Sequence, residues 1–97
     1  MVIIAKASIN EFSLKHPAAV EPLLYWYYTS KLADWSKFQD VKESFNTVDY
    51  IGHDLYVFDI GGNKFRLIAR IIFSVRTVFI RFIGTHSEYD KINHTTL

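Results

Sequence analysis

A chain of 97 residues, 16% aromatic and 22% charged, has enough material for one domain with a single core, so residues 1–97 are expected to form one unit. It contains no cysteine, which excludes disulfides and thiolate metal sites and fits a reducing compartment. The net charge of +1 hides an asymmetry: residues 1–60 hold five Lys against eight Asp and Glu, whereas residues 61–97 hold six Lys and Arg against Glu88 and Asp90.

Basic charge concentrated in the last third is the footprint of a polyanion partner, although a pI near 8.0 makes long-range attraction modest. The apolar start, Met1 to Ala5, is too short for a secretion signal, and no apolar run approaches the roughly 18 residues of a membrane span. A soluble, cytoplasmic protein is expected.

In chain order, Val2 to Ala5 suits a buried or edge strand. Ser8-Ile9-Asn10-Glu11 matches a capping box, so a helix is expected to start there and to end near His16, before Pro17. A second helix is expected from about Ala18 to Leu32, with Pro22 in its first turns and an aromatic run, Tyr25 to Tyr28, around its circumference. Trp26, Tyr27 and Trp35 read as core and interface residues, with base stacking as the alternative. Residues 33–54 suggest a short helix at Val41 to Phe45 and a strand near Val48 to Ile51.

Three antiparallel strands follow. Leu55 to Ile60 enters a hairpin at Gly61-Gly62, which would set Asp59 opposite Lys64 and Val57 opposite Arg66. In the next strand Phe65, Leu67, Ala69, Ile71 and Phe73 share one face, while Lys64, Arg66 and Arg70 share the other with Ile68 and Ile72. A two-residue turn at Val75-Arg76 would pair Ser74 with Thr77, Arg70 with Arg81 and Arg66 with Thr85. Two arginines side by side are unfavourable without an anion between them, and a phosphate would suit their planar forks. The chain then leaves the sheet through Thr85 to Lys91, where parity puts His86 on the side of Phe82, as a core-edge histidine unless the backbone turns.

No nucleophile elbow, P-loop, HExxH or dinucleotide fingerprint is present. The four histidines, at 16, 53, 86 and 94, show no metal-ligand spacing, so neither metal nor cofactor is expected. What remains is a basic strand face ending in a His and a Tyr. Such a set suits phosphoryl chemistry on RNA, where the substrate's 2′-hydroxyl is the nucleophile and the protein supplies cations and a proton carrier such as imidazole. The competing reading is a solvated basic face without chemistry.

The segments ADW (33–35), VFDIGGNKFRLI (57–68) and IRFIGTHSEYDKI (80–92), with Val41-Lys42, Phe45 and Val48-Asp49, resemble the HigB toxin family, RelE-like messenger-RNA interferases of bacterial toxin–antitoxin systems. The family usually has Asn where this chain has Asp59, and often Ala in place of Ser87. The resemblance implies an α+β fold with two N-terminal helices packed on a twisted antiparallel sheet. It implies metal-independent cleavage of messenger RNA, often on the ribosome, leaving a 2′,3′-cyclic phosphate and a 5′-hydroxyl. It also implies a HigA-type helix-turn-helix antitoxin as partner.

Carried onto this chain, the resemblance implies catalytic roles for Lys64, Arg66, His86 and Tyr89, and substrate contacts for Arg70, Arg81, Lys91 and Glu88. Glu88 fits capping, or orienting Arg66 or His86, better than it fits a base, since an ordinary carboxylate is a weak base at neutral pH. A non-catalytic RNA-binding module, or a protein-interaction subunit, is the alternative.

Overall fold

The computed structural model describes residues 1–97, and its secondary structure is α+β. The elements are β1 (Val2–Ile4), α1 (Lys6–Lys15), α2 (Val20–Leu32), α3 (Phe38–Ser44), β2 (Asp49–Gly52), β3 (Leu55–Ile60), β4 (Phe65–Ile72), β5 (Thr77–Thr85) and α4 (His86–Lys91). The five strands form one sheet in the order β1-β5-β4-β3-β2. All neighbours are antiparallel except β1, which lies parallel to β5 at the edge, with Val2 opposite Thr77 and Ile4 opposite Phe79.

The period of two holds along β4. Phe65, Leu67, Ala69 and Ile71 are buried and face the helices, where they meet Ile9 of α1, Leu23, Trp26 and Tyr27 of α2, and Val41 of α3 in one core. From β3, Phe58 reaches the same layer and packs edge-on against Trp26 and Phe45, with ring centroids 5.5 and 5.3 Å away. Trp26, Tyr27 and Trp35 are all core residues, and Trp35 donates its Nε1–H to Ser44 Oγ at 3.0 Å. The rest of the aromatic run on α2 points outward, leaving Tyr25 and Tyr28 exposed.

Two helix starts differ from the sequence expectation. Helix α1 begins at Lys6 with Ala5 as its N-cap, and no side chain caps it; Ser8 and Glu11 lie inside the helix. The chain turns directly out of β1, and the Ser8 N–H bonds the Ala5 carbonyl at 3.1 Å, so the helix is under way before Ser8 can cap it. Helix α3 begins earlier than Val41 because Asp40 accepts from the backbone N–H and the hydroxyl of Ser36, at 2.8 and 3.0 Å.

Both hairpin registers also differ from expectation. Gly61 and Gly62 adopt left-handed φ values of 64° and 71°, as a tight turn requires, but the loop continues through Asn63 and Lys64. Ile60 therefore pairs with Phe65 and Asp59 with Arg66, so Asp59 does not face Lys64, nor Val57 Arg66. After β4 the chain makes a 3-10 turn at Phe73–Val75 and Arg76 takes φ 54°, which pairs Ile72, not Ser74, with Thr77.

A β-bulge then inserts Arg81 between Ile80, which faces Ala69, and Phe82, which faces Ile68. Arg70 consequently lies opposite Phe79, Arg66 opposite Gly84, and Thr85 opposite Phe65. The expected Arg70–Arg81 pair does not form.

The second face of the sheet is not simply basic. Leu55, Val57 and Ile68 form a small buried cluster there, covered by Ile51, Phe82, Tyr89, Ile92 and Leu97. Helix α4 and the residues after it are thus docked onto the face that carries Arg66 and Arg70. The bulge moves Phe82 to this side, and Gly84 accommodates it, since a Cβ on Gly84 would stand 2.4 Å from the Phe82 ring.

Candidate active site

Arg66 projects from β4 into a setting built by three elements. Its Nε lies 3.2 Å from Oδ1 of Asp59, its cross-strand neighbour on β3. Nη2 donates to Asn63 Oδ1 at 2.6 Å, and Nη1 donates to the carbonyls of Phe65 and Asn63 at 3.3 and 3.5 Å. The guanidinium carbon stands 5.8 Å from the centroid of the Tyr89 ring. Only 12% of the side chain is exposed, so the fork is held from three sides, whereas a solvated surface arginine would be free to sample many rotamers.

Tyr89 reaches this position because α4 starts where β5 ends. Thr85 and Glu88 form a capping box: Thr85 Oγ1 accepts from the Glu88 N–H at 3.1 Å, and Glu88 Oε1 accepts from the Thr85 N–H at 2.8 Å. The helix is further tied to the hairpin loop by the His86 N–H, which donates to the Lys64 carbonyl at 3.1 Å. Burial pushes the Tyr89 phenol above its ordinary pKa of 10.0; the Arg66 cation opposes this, and the carboxylates of Asp49, Asp90 and Asp59 reinforce it. Tyr89 is therefore a neutral O–H donor near pH 7 and not a phenolate base.

His86 does not lie at the core edge. The helix carries it away from the strand alternation, and its Nδ1 faces Asp90 Oδ2 at 3.3 Å, with both side chains about half exposed. The contact is an ion pair only when the imidazole is protonated. Asp90 was not among the sequence candidates. The signal for it is the i,i+4 spacing from His86, legible once Thr85-His86-Ser87-Glu88 is read as a helix start. Asn63 has no role in a two-residue turn, and its contact with Arg66 arises only because the loop spans four residues.

The remaining candidates divide. Lys64, in the loop, and Lys91, in the last turn of α4, have exposed side chains. Glu88 caps its own helix and makes no bond to Arg66 or His86. Arg70 is structural in its contacts: Nη1 donates to the His53 carbonyl and Nη2 to the Leu97 carbonyl at 2.8 Å, which fastens the β2–β3 turn to the C-terminal segment. Arg81, displaced by the bulge, is exposed and lines a separate groove with Ser8, Glu11 and Lys15 of α1. No three His, Cys, Asp or Glu side chains converge as a metal cage would require.

The cap makes a testable contribution. Thr85→Ala is expected to cost about 1 kcal/mol of stability, read as a urea midpoint. The Glu88 carboxyl is held below its ordinary 4.5 first by the Thr85 backbone N–H, then by the Thr85 hydroxyl and the nearby His16 and Lys15 charges. A lowered folded-state pKa means that this stabilisation is present above about pH 4.5 and disappears as pH falls through the folded value. The midpoint difference between the parent and Glu88→Gln should therefore narrow below pH 4.5. An unchanged difference down to pH 3 would show that the capping box is not what Glu88 contributes.

Comparison with known proteins places these residues in a wider group. Residues 19–92, which include Asp59, Asn63, Arg66, His86, Tyr89 and Asp90, match the family model described as HigB_toxin, RelE-like toxic component of a toxin-antitoxin system. The chain is 35% identical over 94 residues to the mRNA interferase HigB of Escherichia coli O6:H1 (strain CFT073), covering 95% of this chain and 91% of that protein. It is 28% identical over 92 residues to the mRNA interferase toxin HigB of Escherichia coli K12 and to the mRNA interferase HigB of Shigella flexneri, covering 93% of this chain and 88% of each relative.

Proposed function

The chain belongs to the HigB toxin family, and from that premise we propose that it is an endoribonuclease that cleaves messenger RNA and so inhibits translation as the toxin of a toxin–antitoxin system. The observation that carries the proposal is the restrained Arg66 guanidinium against the ring of a protonated Tyr89, on the short helix that also carries His86. In the proposed reaction the ribose 2′-oxygen bonds to the adjacent phosphorus, and the bond from phosphorus to the 5′-oxygen of the next nucleotide breaks. Arg66, aided by Lys64, stabilises the charge that builds on the non-bridging oxygens, because fixed donors act there without reorganising. His86 moves the proton between the attacking and leaving oxygens through Nε2, and the Tyr89 O–H donates a hydrogen bond to the phosphoryl group. Lys91 and Arg81 are assigned to phosphates farther along the strand.

Products of this route are a 2′,3′-cyclic phosphate and a 5′-hydroxyl, with no metal taking part. The substrate is assigned as messenger RNA on the ribosome, and the neutralising partner as a HigA-type helix-turn-helix antitoxin. No helix is long and apolar enough to cross a membrane, and the cytoplasm is the proposed site of action.

The test is expression without an antitoxin, followed by sequencing of RNA 5′-hydroxyl ends. New 5′-hydroxyl ends within coding sequence, paired with cyclic-phosphate 3′ ends, are the expected result. On an RNA substrate whose structure does not need magnesium, cleavage should survive a chelator. Intact messenger RNA in growth-arrested cells would leave a non-catalytic binding module as the better account.

A further inference from the structure

On the far side of Asp59 from Arg66 lies an open cleft of about 490 Å³, within the roughly 300–1,000 Å³ range of small-molecule sites. Its walls include Glu21, Tyr25 and Trp26 of α2, Phe45 after α3, and Asp59 and Gly61 at the end of β3. It opens where β2 stops covering β3: the last pair is Asp49 with Val57, so the outer edge of β3 from Phe58 to Ile60 has no strand partner. Phe45 is fixed edge-on against Trp35 and Phe58, at 6.1 and 5.3 Å between centroids, whereas the neighbouring Tyr25 is 65% exposed. The Tyr25 and Phe45 rings stand perpendicular to each other, 6.2 Å apart.

This cleft has chemistry unlike the rest of the site. The charged residues on its lining, Glu21 and Asp59, are both acidic and no cation is among them, so a phosphate finds no partner there. An aromatic wall with hydrogen-bond acceptors is, by contrast, how proteins hold an unstacked base of single-stranded RNA. Carboxylates accept from the amino groups of adenine, cytosine and guanine, and uracil has no amino group to offer. Asp59 marks the boundary between the two compartments: its position on the open edge of β3 lies at the rim of the cleft, while strand alternation turns its side chain to the other face, where Oδ1 pairs with Arg66 Nε.

We propose that the cleft between α2 and the open edge of β3 binds one amino-bearing base of the substrate RNA, with Tyr25 as stacking surface and Glu21 as specificity-determining acceptor, next to the phosphate held at Arg66. The inference rests on the ribonuclease reading above. It makes the β3 edge at Asp59 the divide between base and phosphate subsites.

The experiment measures dissociation constants for fluorescein-labelled 2′-O-methyl hexamers of A, C and U at one fixed salt concentration; the methyl group blocks the nucleophile, so nothing is cut. The parent should bind the A and C hexamers about tenfold more tightly than the U hexamer. Tyr25→Ala should weaken A and C binding about tenfold and Tyr25→Phe should restore it, while the melting temperatures of both stay near the parent's because the side chain is mostly exposed. Glu21→Leu, which removes the acceptor, should erase most of the preference over U without weakening U binding.

Equal binding of all three hexamers by the parent, or parent-like binding by Tyr25→Ala and Glu21→Leu, overturns the base site. If in those cases Arg66→Ala still weakens binding, the ribonuclease reading survives alone; if the parent binds no hexamer, the base site falls, and the ribonuclease reading is decided by the 5′-hydroxyl ends in cells. Variants at Tyr25 and Glu21 that lose affinity for a purified antitoxin but not for RNA would assign the cleft to a cationic protein side chain instead.

Discussion

Arg66→Ala is expected to lower messenger-RNA cleavage by about a hundred- to a thousandfold, the usual effect of removing one fixed donor from a developing oxyanion. The fall should appear mainly in the single-turnover rate, since the role assigned to Arg66 is stabilisation of charge that exists only in the transition state. Arg66→Lys should recover little, because an ammonium cannot simultaneously meet Asp59, Asn63 and the Tyr89 face as the planar fork does. Folding should survive, as Asp59 is 31% exposed and keeps water when its partner is removed. A variant that melts like the parent and cuts within fivefold of it would remove Arg66 from the reaction.

Phe58→Ala is expected to have the largest effect on stability, a loss of about 3–5 kcal/mol by urea denaturation. Phe58 is 1% exposed and lies under Trp26 and Phe45, enclosed between the sheet and the helices, so its removal leaves a cavity in the main core. Against a total of roughly 5–15 kcal/mol for a domain, that loss leaves a marginal protein whose toxicity should be temperature-sensitive. Phe58→Leu, which keeps most of the volume, should cost less than half as much. A loss below 1 kcal/mol for the alanine variant would mean that the layer between sheet and helices is not the main core.

Much of this was legible from residue order alone, and the failures have a common physical origin. The alternation along Phe65 to Ile72 identifies which side chains of β4 meet the helices, because a slip of one would bury Arg66 and Arg70 among them, but it does not announce that Ile68 on the other face is buried as well. What alternation cannot supply is the pairing of one strand with the next. Register depends on how many residues a turn consumes and on any extra residue in a strand; here two four-residue connections and the bulge at Arg81 shifted every cross-strand neighbour of the arginines. Capping boxes fail for a similar reason. Ser8 to Glu11 and Thr85 to Glu88 carry equivalent patterns, but only the second follows a strand whose end leaves the Thr free to act as N-cap. With that helix unrecognised, the His86–Asp90 pair and the apolar cluster beneath Tyr89 had no sequence signature strong enough to announce them.

The parallel pairing of β1 with β5 has a consequence for how the chain comes off the ribosome. Val2 to Ile4 find their partners at Thr77 to Phe79, more than seventy residues later, while β2, β3 and β4 need only hairpin closures. Contacts of such long sequence separation form late, since the loop entropy must be met before they return anything. During synthesis the helices can gather on the β2–β4 meander, but the edge strand has nothing to join until β5 has emerged, and α4, which delivers Tyr89 and His86, follows β5 directly. The proposed site, which needs Tyr89 and His86 from α4, therefore assembles only after β5 is in place.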